Sequence, residues 1–214
     1  MRQQVQWLTD FGDQAIILPV GLAVLTLLLM SRCWRGGLCW FLTLGGVLTT
    51  MLVLKLAVGA CGWVFGLTTL QSPSGHTASA TMVYGGLVTL LAPRLRIFTC
   101  LLVFCVIAVI FAASRLILHD HTLAEVAVGG TVGIAGVLCF RIALGPVARR
   151  PNRVILAALV LVVMVLAHGT RLQAEQDIHA VAITRLRAML CPMPIGVATG
   201  ADAAPAPSGG AQGP

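Results

Sequence analysis

Apolar residues fall into six long runs along the chain, at roughly 14–30, 38–58, 76–92, 97–113, 121–140 and 153–169. A helix needs about 20 residues to cross a bilayer core of about 30 Å. Several runs fall short of that, so their helices are expected to extend into polar flanks. Apolar and polar positions do not alternate within the runs, which excludes the strands of a membrane barrel. Backbone polar groups surrounded by lipid must bond within their own segment, and a helix achieves this. The pattern therefore predicts an all-α fold, a polytopic membrane helical bundle with about six transmembrane helices.

Composition agrees with that pattern. Of 214 residues, 58% are hydrophobic and 10% are charged, against about 25% charged in soluble domains. The mean hydropathy is +0.95, so lipid is the solvent for most of the chain. Asp10 and Asp13 precede the first run and no small-residue cleavage site follows it. The first run is accordingly expected to be a retained helix rather than a signal peptide. Residues 1–170 read as one transmembrane domain. In 171–190, Leu172, Ile178, Ala182, Leu186 and Met189 recur near helical spacing, which predicts an amphipathic surface helix. Residues 191–214 are rich in Pro, Gly and Ala and are expected to be a disordered tail.

The formal net charge of +7 changes the picture through its placement. Arg32 and Arg35, Arg94 and Arg96, then Arg141, Arg149, Arg150 and Arg153 sit in or beside alternate gaps between runs. Six alternating helices put these gaps on one side. The positive-inside bias makes that side cytoplasmic and puts 59–75, 114–120 and both termini outside. Basic residues in short inter-helix gaps report topology, not a nucleic-acid surface, so no nucleic-acid partner is expected. The seven cysteines show no close-spaced metal or redox motif. A disulfide between Cys61 and Cys191 is conceivable if both face an oxidising compartment.

The polar residues that remain cluster on the outer side. Lys55, the one lysine in the chain, lies near the end of the second run. Alone, it could be a lysine snorkelling to the interface. Pro73-Ser74-Gly75-His76 opens the third run. Ser74 there could be a simple helix cap, yet free N–H groups at a helix start also bind anions. Ser114-Arg115 is followed by His121 and, four residues on, Glu125. The spacing predicts His121 and Glu125 on one helical face. A carboxylate on one imidazole nitrogen fixes the tautomer and raises the basicity of the other. Cations, two histidines and a helix N-terminus together suit phosphoryl transfer, which needs charge stabilisation, a nucleophile and an acid. No metal site is expected: oxygen ligands are few on this side, and the histidines lack a zinc signature.

These residues resemble the type 2 phosphatidic acid phosphatase superfamily, the lipid phosphatase and haloperoxidase-like proteins. That family carries Lys followed six residues later by Arg-Pro, then Pro-Ser-Gly-His, then Ser-Arg-x5-His-x3-Asp. The second motif is complete at Pro73–His76, and the third is matched by Ser114, Arg115 and His121, with Glu125 in place of Asp. In the first, Lys55 fits but Gly62-Trp63 stands where the family has Arg-Pro. The resemblance spans about 45–140. It implies that His121 attacks phosphorus, Glu125 orients His121, and His76 protonates the leaving oxygen. It implies that Lys55, Ser74, Gly75 and Arg115 hold the phosphate, with no cofactor and with a membrane lipid phosphate as partner. Arg2 is a remote candidate for the missing arginine. The expected function is a lipid phosphate or diphosphate phosphatase of a bacterial-type inner membrane. A lipid phosphotransferase, or a catalytically weak lipid-phosphate-binding protein, is the alternative.

Overall fold

The computed structural model describes residues 2–61, 72–145 and 151–170. They form seven helices: α1 (Arg2–Asp10), α2 (Gln14–Met30), α3 (Trp34–Cys61), α4 (Gly75–Leu91), α5 (Ile97–Ile117), α6 (Leu123–Leu144) and α7 (Arg153–Ala167). The six apolar runs appear as α2 to α7. Stretches Gln3–Met30 (which includes the turn at 11–13), Trp34–Cys61, Ile97–Ile117 and Leu123–Leu144 are each long and apolar enough to cross a membrane. Phe98 is 81% exposed and Leu166 is 78% exposed. Side chains this apolar facing outward on several helices call for lipid as their surroundings. The chain is an all-α, multi-pass membrane bundle.

Helix α4 is the axis of the bundle and touches α2, α3, α5 and α6. Nearly all of its residues are buried. Protein rather than lipid surrounds it, so it can carry hydroxyl groups. Those groups bond back into the helix: Ser79 Oγ donates to the Gly75 carbonyl (2.9 Å), Thr81 to Thr77 (2.7 Å) and Thr89 to Gly85 (3.0 Å). Its neighbour α6 approaches closely through glycines. A Cβ on Gly129 would collide with the Ser74 carbonyl oxygen, and one on Gly133 would lie 2.6 Å from the Ala78 carbonyl oxygen. Small residues at a helix crossing bring the backbones together, and packing then holds the pair in lipid. Trp40 of α3 fills the space on the far side, donating from Nε1 to the Gly21 carbonyl at 2.9 Å and meeting Phe140 edge-on.

Two sets of polar contacts mark the two ends of the bundle. At one end Arg35 Nε donates to the Ala143 carbonyl (3.1 Å) and Arg141 Nη2 to the Leu95 carbonyl (2.6 Å). These bonds gather the start of α3, the end of α6 and the α4–α5 turn, as the alternation of arginine-bearing gaps predicts. The opposite end holds the candidate residues.

The polar N-terminal residues form a helix of their own, α1, which packs on α5. Two expectations are corrected. Ser114 and Arg115 belong to the last turn of α5 rather than to a gap. The fifth run begins its helix at Leu123 with Thr122 as N-cap, so His121 precedes the helix instead of sharing a face with Glu125. The expected surface helix 171–190, the tail 191–214, Gly62-Trp63 and Cys191 lie outside the described residues.

Candidate active site

The site grows from the first turn of α6. Thr122 and Glu125 form a capping box: Thr122 Oγ1 accepts from the Glu125 N–H (3.4 Å), and Glu125 Oε2 accepts from the Thr122 N–H (3.0 Å). This reciprocal cap satisfies two orphan donors and turns the carboxylate back toward the residue before the helix. There it meets His121, whose Nδ1 lies 3.0 Å from Glu125 Oε2. An ionised carboxylate only accepts, so Nδ1 is the donor in this bond. The pair is buried, with side-chain exposures of 5% and 6%. His121 thus reaches Glu125 through the cap, although it is not on the helix.

Glu125 also fixes the segment leading into α4. Its Oε1 accepts from the Ser72 N–H at 2.7 Å, and its own carbonyl accepts from the Ser74 N–H at 3.1 Å. Ser74 is the N-cap of α4, accepting from the Thr77 N–H at 3.4 Å. Gly75 and His76 follow as the first residues of that helix. The glycine at 129 lets these two helix starts approach until backbone meets backbone. An N-terminus of α4, with its positive dipole end, therefore abuts the His121–Glu125 pair.

Two cations enter from neighbouring helices. Lys55 on α3 is buried, and its Nζ donates to Ser72 Oγ at 3.4 Å. It points inward to the segment that Glu125 holds, so the snorkelling interpretation does not apply. Arg115, in the last turn of α5, is also buried, and its Nη1 lies 3.1 Å from Asp120 Oδ2. The chain turns back between them, with His119 at φ 60°, and this reversal delivers His121 to the start of α6. Lys55, Ser74, Gly75, His76, Arg115, His121 and Glu125 all lie at this end of the bundle.

The sequence pattern did not reveal Asp13. It caps α2, its Oδ1 accepting from the Ala15 N–H at 2.8 Å, and its Oδ2 lies 3.5 Å from His76 Nε2. Nearby, Thr9 Oγ1 and Ser114 Oγ are 3.1 Å apart, so α1 leans on the residue before Arg115. A carboxylate at the edge of an apolar run is costly and signals function by default. That signal was present at Asp13. Among the described residues, no three of His, Cys, Asp and Glu are grouped to hold a metal ion.

Family comparison follows the same core. The profile of the PAP2 superfamily matches residues 36–146. The chain belongs to the PAP2 superfamily. An uncharacterized 22.5 kDa protein in the cps region of Klebsiella pneumoniae is 28% identical over 140 residues, which cover 63% of this chain and 66% of that protein. The alignment thus spans just under two thirds of that relative's length. No solved structure matches the chain. PAP2 membership supports a phosphatase-type function acting on lipid or other phosphate compounds. All residues of the three motifs lie within the matched span, whereas α1, Asp13 and α2 precede it.

Proposed function

We propose that this PAP2 protein hydrolyses a phosphomonoester or diphosphate of a membrane lipid, such as phosphatidate, phosphatidylglycerol phosphate or a polyprenyl diphosphate. The observation that carries this reading is the buried His121–Glu125 pair at 3.0 Å, set against the N-terminus of α4. In the proposed reaction the His121 Nε2 lone pair attacks phosphorus. A phosphorus–nitrogen bond forms as the bond to the leaving oxygen breaks, and His76 gives that oxygen its proton. Glu125 holds the His121 Nδ1–H and offsets the positive charge that the ring acquires. Water then attacks the phosphohistidine, passes a proton to His76 and releases inorganic phosphate. Lys55, Arg115, Ser74 and the Gly75 N–H are the groups proposed to hold the phosphoryl oxygens, whose charge the transition state spreads.

The site is proposed to open to the periplasm or exterior of an inner membrane. Arg35 and Arg141 are fixed at the opposite end, which fits a cytoplasmic face there. Cys61, ending α3 on the site side, is disulfide-bonded, as suits an oxidising compartment. The test is phosphate release from a panel of lipid phosphates by purified wild type and His121→Ala. Release that disappears in the variant is the expected result. Equal release from both would move the chemistry elsewhere, and none from either would favour transfer to an acceptor or binding without turnover.

A further inference from the structure

Three residues separate α1 from α2 without belonging to any apolar run, and one of them reaches the site. The turn Phe11–Asp13 is pinned over the bundle end. Tyr84 OH donates to the Phe11 carbonyl at 2.7 Å, Thr9 meets Ser114, and Gln14 Nε2 donates to Ser79 Oγ at 3.3 Å. Asp13 in this turn is held at both carboxylate oxygens. Oδ1 caps α2, which fixes the rotamer, and Oδ2 is thereby directed at His76 Nε2, 3.5 Å away. Both side chains are about nine-tenths buried, at 9% and 10% exposure. A buried charge without partners is expensive, and here the imidazole is one of the groups offsetting it.

We propose that Asp13 is a positioning residue for His76, so that the N-terminal segment ahead of the PAP2 core forms part of the active site. This rests on the phosphatase reading above. A general acid must hold a proton for the leaving oxygen in one step and recover it from water in the next. An imidazole can donate one N–H to a carboxylate and keep the second for transfer only when it is protonated on both nitrogens. A carboxylate at salt-bridge distance favours that form. The site would then contain two histidine–carboxylate pairs with different tasks. Glu125 keeps His121 ready to attack, and Asp13 keeps His76 ready to give up a proton. Glu125 belongs to the matched core; Asp13 comes from outside it.

Among the described residues, the other ionisable groups at this end are Asp10 on α1, Lys55 on α3, Arg115 on α5 with its partner Asp120, and His121 and Glu125 at the start of α6, with Tyr84 and His168 packed against Phe11. They are common to wild type and variant, so a substitution at Asp13 isolates its own effect. Asp13→Asn and Asp13→Ser both retain a good N-cap for α2 and remove the charge. Each should therefore fold with an unchanged thermal midpoint in detergent. The expected result is a loss of kcat of at least about tenfold, within the roughly 10²–10⁴ that a general acid supplies. KM should change less, and the high-pH limb of the rate profile should move to lower pH. The His76 resonances in ¹⁵N-histidine-labelled protein should also change on Asp13→Asn.

An active wild type matched by both variants in kcat and pH profile would overturn the role of Asp13 and leave the phosphatase reading intact. A wild type that releases no phosphate would remove the reaction on which the role depends. The ¹⁵N comparison would then decide separately whether the pair exists, since unchanged His76 resonances would refute the pairing itself.

Discussion

Replacing Glu125 by Gln keeps the size of the side chain and removes its charge. Among the donors that the carboxylate serves are the Ser72 N–H on Oε1 at 2.7 Å, and the Thr122 N–H and His121 Nδ1 on Oε2 at 3.0 Å each. An amide offers one oxygen and one NH₂ group. With its oxygen in the Oε2 place it keeps Thr122 and His121, but its NH₂ faces the Ser72 N–H. Turned the other way it keeps Ser72 and presents NH₂ to both other donors. At best one donor at this site loses its acceptor, which costs about 1–3 kcal/mol. The charge-assisted character of the remaining bonds is lost as well. Turnover suffers more than stability, because the neutral amide cannot offset the positive charge on His121 during attack. In the flipped orientation it also forces the wrong tautomer, a change that costs about 10⁴ in kcat where a histidine depends on a carboxylate.

Glu125→Gln should thus lower kcat by about 10²–10⁴ while unfolding only slightly earlier in a thermal scan in detergent. Phosphate release and a fluorescence melt on the same preparation measure both. A variant with wild-type kcat would refute the claim that Glu125 orients His121. A variant that fails to fold would show that the stitching of α6 to the Ser72–Ser74 segment outweighs the chemistry. Glu125→Ala, which removes the whole cap, should be the less stable of the two.

Other consequences follow from the same contacts. Gly129→Ala places a methyl group against the Ser74 carbonyl oxygen and should destabilise the fold by about 1–3 kcal/mol through overpacking. A lowered thermal midpoint together with reduced phosphate release would check that α4 and α6 must approach this closely. Lys55→Gln should reduce kcat/KM by about 10²–10³ if Lys55 is a phosphate donor, with little change in melting; kinetics on a lipid phosphate distinguish that from a structural loss.

The bundle was legible because a lipid-crossing helix needs a long apolar run, and α2, α3, α5 and α6 each lie on one, with a shorter one at α7. Helix α4 was legible for a different reason. Its serines and threonines would be unusual against lipid, but its glycines and alanines kept the run apolar enough to recognise, and burial on all sides explains the hydroxyls. The one-sided grouping of Lys55, Ser74, Gly75, His76, Arg115, His121 and Glu125 followed from helix alternation alone. Helix α1 was not legible. Its residues are polar, and its docking depends on partners far away in sequence, as Thr9 and Ser114, 105 positions apart, illustrate. Asp13 escaped for the same reason, since nothing local pairs it with His76. The position of His121 could have been read correctly. Thr122 and Glu125 have the spacing of a capping box, which places the helix start after His121.

The central claim is that phosphorus is transferred to His121. The direct test is a rapid quench, in alkaline detergent, of wild type and His121→Ala after mixing with a ³²P-labelled lipid phosphate, followed by gel autoradiography. The account predicts an acid-labile, alkali-stable label on the wild type that never appears on His121→Ala. Sustained phosphate release with a label persisting on His121→Ala would contradict it.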